Sequence, residues 1–177
     1  MPGTIPAARQ HLIDDIAALA RKTRGAPLPL PAFVQAYYRG VGEEDLQARD
    51  CAAFAASAAG TLKFGAVRPA GEPRVRVFNP QLARDGWESP HTIVEVVTED
   101  MPFLVDSLAV VLSDSRLPIQ LMIHPVLRIA RDRRGKLLSM EEHDSALGTM
   151  ESWQHVAVPR IGDPARHEAL SQNILRM

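Results

Sequence analysis

Cysteine is almost missing from this chain: Cys51 is the only one in 177 residues. An intrachain disulfide is therefore excluded, and a cysteine-based zinc site within one chain would have Cys51 as its single thiolate. A reducing, cytoplasmic setting is the expectation. Lysine is scarce too, confined to Lys22, Lys63 and Lys136, while the other basic residues are arginine. That bias reads as codon usage. With a formal net charge of -1 there is no broad basic surface of the kind that holds nucleic acid. No apolar run reaches the ~20 residues that span a bilayer. The opening MPGTIPAARQHLIDD lacks the apolar stretch of a signal peptide. No membrane or nucleic-acid partner is expected. The glycines form neither GxGxxG nor a phosphate loop, and no GxSxG is present. The histidines, His143 and His155 included, show no metal-ligand spacing. No catalytic residue, metal or cofactor is assigned to the chain itself.

What is present is enough apolar sequence, 46%, for a packed core. Residues 6–24 read as an amphipathic helix with Leu12, Ile16, Leu19 and Ala20 on its face and Ile13 beside them. APLPLP at 26–31 reads as a linker. A second helix is expected from Pro31 to Arg39, with Phe33, Val34, Tyr37 and Tyr38 apolar. A third follows at 43–48. A fourth runs from an Asp50 N-cap to Phe64, with Cys51 packed among alanines. Residues 1–66 are thus expected to be a helical region.

From residue 67 the pattern changes to a mixed α+β domain. PRVRVFNP alternates Val75 and Val77 with Arg74, Arg76 and Phe78, a short strand. Trp87 falls in a loop expected to cover the sheet edge. Residues 91–98 are β-branched and form the next strand. A helix is expected over 102–116, with Phe103, Leu104, Leu108, Val111 and Leu112 as its stripe. One strand is expected from Ile119 to Ala130, at an edge or bulged where Pro125 removes an N–H. A hairpin at Arg131–Gly135 returns through Lys136–Met140. Residues 141–150 read as a loop. Residues 151–160 form a last strand, with Trp153 and His155 on one face and Val156 and Val158 on the other. A helix then starts at the Asp163 cap and is cut by the chain end. The β-α-β-β-α order fits a ferredoxin-like sandwich with a mostly antiparallel sheet, preceded by helices. A closing strand is missing, and either the 73–79 strand takes its place or the protein continues.

The one candidate site is the loop Thr98-Glu99-Asp100-Met101-Pro102-Phe103, where a strand runs into a helix. The favoured reading gives Glu99 and Asp100 to the helix start, as caps and dipole partners. The competing reading is a small-molecule site, with helix N–H groups taking a carboxylate and the acidic pair an ammonium group. Asp106 reads as a dipole partner or a polar contact to the sheet. His124, in LMIHPVL, reads as a structural histidine before it reads as a base or ligand.

Three segments within residues 78–137 stand out: Gly86-Trp87-Glu88-Ser89-Pro90-His91-Thr92, Asp100 to Ser107 (DMPFLVDS) and Ile123-His124-Pro125-Val126. With them this stretch resembles the N-terminal region of the large bacterial NAD-specific glutamate dehydrogenases. YYRGVGEEDL at 37–46 and Glu151 to Val156 (ESWQHV) also fit. The resemblance implies an ACT-like domain, ferredoxin-like in fold, over residues 67–177. It implies a regulatory or scaffolding part of an enzyme, with NAD and catalysis belonging to the rest of the parent protein. Self-association as a dimer or higher is expected, as is an optional amino-acid effector held by Glu99, Asp100, Met101, Pro102, Phe103, Asp106 and His124. Amino-acid-binding ACT domains carry Asp-x-Pro-Gly in this loop. Here Phe103 stands in the glycine's place, where a ring would narrow or fill a pocket. Two further readings stand beside this one: a stand-alone amino-acid sensor that switches a partner, and a hydrolase or isomerase using His124 with a loop carboxylate.

Overall fold

The structure, a computed structural model, describes residues 7–22 and 29–177. Of the expected 26–31 linker, residues 26–28 lie outside the described residues, and Leu30 and Pro31 already belong to the second helix. Four helices come first: α1 (Ala7–Lys22), α2 (Leu30–Tyr37), α3 (Glu43–Gln47) and α4 (Cys51–Phe64). Asp50 caps α4 as its sequence suggests, its carboxylate accepting from the Ala53 N–H at 2.6 Å. The buried face of α1 is Ile13, Ile16, Ala17 and Ala20. It is rotated from the expected stripe, so that Ile13 is fully buried and Leu19 lies 38% exposed.

The remaining elements are β1 (Arg74–Phe78), α5 (Leu82–Asp85), β2 (His91–Glu99), α6 (Leu104–Asp114), β3 (Leu121–Ile123), β4 (Val126–Arg131), β5 (Leu137–Glu141), β6 (Thr149–Pro159) and α7 (Pro164–Ile174). The short α5 has no sequence signal strong enough to predict it. The strand expected over 119–130 is two strands. Pro125 has no N–H to give the ladder, and β3 and β4 stop on either side of His124-Pro125. Both still pair with β6, helped by the Trp153 N–H donating to the Pro125 carbonyl at 3.0 Å. Gly135 takes the hairpin's positive φ, 79°. A side chain there would also meet the Arg68 carbonyl at 2.3 Å.

All strand pairs are antiparallel, and the sheet order is β1-β2-β6-β4-β5, with β3 also on β6. This is a ferredoxin-like α+β arrangement. β2 and the β3–β4 segment flank β6, and α6 makes the crossover between them. β1 fills the sheet position beside β2 where a closing strand would pair.

The helical region packs on the sheet. Val94, Val96, Val156 and Val158 face α6 and α7, burying Leu108, Leu112, Leu170 and Ile174. Val97, Ile123, Leu127, Ile129 and Trp153 share a second core with α1, α2 and α4. Trp153 is its centre, edge-on to Phe33 at 5.2 Å. Gly65 sits under the indole, where an added Cβ would come within 2.3 Å of the ring. The central strands β2 and β6 are therefore buried on both faces.

Candidate functional site

Glu99 ends β2, paired across the sheet with Glu151. Its carboxylate accepts from the Gly71 N–H at 3.2 Å and lies 3.8 Å from the Arg68 guanidinium. Asp100 continues the ladder through its backbone, its N–H donating to the Met150 carbonyl at 2.9 Å. Neither acid caps α6. The residue at the N-cap is Phe103, whose side chain makes no capping hydrogen bond. The capping role read from the sequence is corrected: Glu99 is turned to the 68–71 segment instead. Helix α6 begins two residues later than expected, at Leu104. Asp106 lies in its first turn, exposed, where a negative charge suits the helix dipole.

Phe103 adopts the left-handed conformation, φ 69° and ψ 9°. That is a glycine's backbone geometry carried by a phenylalanine. Its ring is 76% exposed, so it neither joins the α6 stripe nor fills a pocket in this chain. Phe103→Gly is expected to raise stability slightly, by about 0.5–1 kcal/mol, as relief of left-handed strain exceeds the added chain entropy. Urea unfolding measures this. A loss beyond 1 kcal/mol would mean that the ring is held by contacts.

His124 does not join the loop. It is exposed between β3 and β4, on the far side of β6 from β2. Two strand spacings put the strand that carries it roughly 10 Å from β2. The structure does not bring His124 and a loop carboxylate together. The candidate residues fall into two groups: Glu99 to Phe103 with Asp106, and His124 alone.

Sequence reading missed the buried charges on the sheet face beneath the helices. Glu95 is fully buried on β2. It accepts from Thr61 Oγ1 at 2.7 Å and Arg76 Nε at 2.5 Å, with His155 Nδ1 at 3.0 Å. Tyr37 lies 3.3 Å from the Thr61 hydroxyl. Burial pushes the Glu95 carboxyl up, but the His155 hydrogen bond and the Arg76 charge outweigh it, and the net shift is downward. Burial, reinforced by the Glu95 charge, pushes the Tyr37 phenol well above its ordinary value. Glu151, also fully buried, is held by Arg68 Nη2 at 2.9 Å and by Arg131 Nε at 2.7 Å and Nη2 at 2.8 Å. Burial opposes its ionisation, and the two arginines reverse that, leaving it lowered. The carboxylates of Glu95 and Glu151 are spent on these partners. Among the described residues, no three His, Cys, Asp or Glu side chains converge as a metal site would require.

A family model described as glutamate dehydrogenase, ACT1 domain, matches residues 33–174. The chain belongs to that family. It is 33% identical over 148 residues to the NAD-specific glutamate dehydrogenase of Halomonas elongata, covering 82% of this chain and 9% of that protein. It is likewise 33% identical over 108 residues to the NAD-specific glutamate dehydrogenase of Pseudomonas aeruginosa, covering 60% of this chain and 7% of that one. The chain thus spans less than a tenth of the length of these relatives. No solved structure matches it.

For an ACT1-family domain, the notable property of the loop site is an uncapped helix start at the surface. Met101 is 50% exposed beside Phe103. Among the described residues, no helix is long and apolar enough to cross a membrane.

Proposed function

We propose that this chain is a non-catalytic regulatory and assembly domain of an NAD-dependent glutamate dehydrogenase. The parent reaction would convert L-glutamate and NAD to 2-oxoglutarate, ammonia and NADH. The family match over residues 33–174 carries this reading. The state of the buried acids supports it: Glu95 and Glu151 are each spent on structural cations. NAD would bind elsewhere in the parent protein. Assayed alone with glutamate and NAD, the chain is expected to form no NADH above background, and turnover would sink the proposal. Light scattering at high concentration is expected to report at least a dimer. A clean monomer would remove the assembly half.

A second reading, an amino-acid sensor, is favoured by one observation. The N–H groups that open α6 have no side-chain cap and lie beside the exposed Asp100, Met101 and Phe103. A free amino acid would place its carboxylate there and its ammonium group on the acids. Calorimetry with a panel of amino acids, glutamate included, separates the readings. Saturable heat abolished by Glu99→Ala or Asp100→Ala supports the sensor, and flat titrations support the scaffold.

A further inference from the structure

A hollow of about 370 Å³ lies between the end of α2 and the interrupted strand, lined by Ala36, Tyr37 and Arg39–Val41 on one side and Met122–Leu127 on the other. Its strand wall is an unpaired edge. β6 takes one side of β3 and β4, and β5 pairs β4 only from Arg128 to Arg131. The outer edge of Leu121–Ile123 and of Val126–Leu127 has no strand partner among the described residues. Across the gap stands Gly40, where even a Cβ would meet nothing within 4 Å. Tyr37, Val41, Ile123 and Leu127 give the hollow an apolar floor.

The charge of this lining has one sign. Arg39 contributes a guanidinium and His124 an imidazole, and no Asp or Glu lines the hollow. Both side chains are exposed, and neither has a hydrogen bond or ion pair with a described residue. The larger hollow near the loop site differs: Arg68, Arg131 and Arg133 there are balanced by Glu99, Asp132 and Glu141.

We infer that the groove at β3 receives an extended, acidic segment of a partner polypeptide as an added strand. The free edge offers backbone donors and acceptors for ladder bonds, which give affinity without regard to sequence. Alternate side chains of the added strand would meet the apolar floor. A carboxylate among the others would meet the Arg39 fork, with His124 as a second donor. This inference stands on the groove alone and does not require the dehydrogenase reading.

The test uses a fluorescein-labelled peptide of alternating valine and glutamate, with a valine–lysine peptide as control, followed by fluorescence anisotropy. The acidic peptide is expected to bind saturably and the basic one not. Arg39→Glu, at an exposed position with the fold checked by circular dichroism, is expected to weaken the acidic peptide about tenfold and to admit the basic one. Amide hydrogen exchange is expected to slow at Leu121–Ile123 when the peptide binds. Equal binding of both peptides, no binding, or protection confined to other strands would overturn the inference. Displacement by free glutamate at concentrations matching the peptide would make the groove a small-anion site instead. Dimerisation through β3 that Arg39→Glu abolishes would make a second copy the occupant.

Discussion

Glu151→Ala is expected to cost about 3–5 kcal/mol of folding stability, the range found when one partner of a buried ion pair is removed. The carboxylate is fully buried, and the side chains it neutralises are only 3% (Arg68) and 9% (Arg131) exposed. Removing it leaves two guanidinium groups facing each other with little water to screen them. It also frees the Trp153 indole N–H, which donates to Glu151 at 3.2 Å. Three separate stretches would loosen together: the 66–72 segment through Arg68, the β4–β5 hairpin through Arg131, and β6 itself. Glu151→Gln keeps the volume and an acceptor, so its loss is expected to be smaller. The triple change of Arg68 to Met, Arg131 to Leu and Glu151 to Leu is expected to recover most of the Glu151→Ala loss. It removes the uncompensated charge along with the pair. Equilibrium urea unfolding of the three variants decides it. A Glu151→Ala loss under 1 kcal/mol would mean that water reaches the arginines in solution and the triad is not dry.

The sequence was most readable where the determinants are local. Asp50 and Asp163 cap α4 and α7 through the N–H groups of Ala53 and Ala165, because a cap needs only its own first turn. Val75 and Val77 point into the α6–α7 core as their alternation implies. What escaped was set by non-local packing. Glu95, Glu151 and His155 share one sheet surface with Ile93, Val97, Trp153 and Ala157, and a period-two reading does not say what covers it. Four helices cover that surface, and the neutralising arginines, Arg68, Arg76 and Arg131, come from other parts of the chain. The near-continuous apolar, β-branched runs of β2 and β6 were the available signal that both faces are covered. At the candidate site, the residues of the loop were identifiable but its backbone was not. The left-handed turn falls on Phe103, a residue that disfavours it. The break at Pro125 was foreseeable as a missing N–H. That it would leave a free edge opposite Arg39 depends on where β5 starts to pair.

Glu95→Gln is expected to flatten the acid side of the stability curve, and the sign follows from the direction of the shift. The folded carboxyl is held below its ordinary value of about 4.5 by His155 and Arg76 against the cost of burial. The native state thus binds the proton less readily than the unfolded chain. Its contribution is present above the unfolded value and is lost as pH falls through the lower, folded one. Glu151 is depressed in the same sense, so the parent protein should lose stability steeply over that acidic window. Glu95→Gln removes one of the two contributions. It should be less stable than the parent near neutral pH, by an amount on the order of 2–3 kcal/mol for a buried charge-assisted network. The gap should close below the folded pKa, where the parent's Glu95 is itself neutral. Glu95→Ala should be worse than Glu95→Gln at every pH, because Thr61, Arg76 and His155 all lose their acceptor. The damage should appear first between the helical layer and the sheet. Thr61 on α4 and, through it, Tyr37 on α2 reach the strands by this carboxylate. Urea midpoints measured from pH 7 down to about pH 3 test the argument across the carboxylate range. Parallel curves for parent and Glu95→Gln would show that the carboxyl titrates alike in both states, and the buried network would then contribute nothing to the pH dependence.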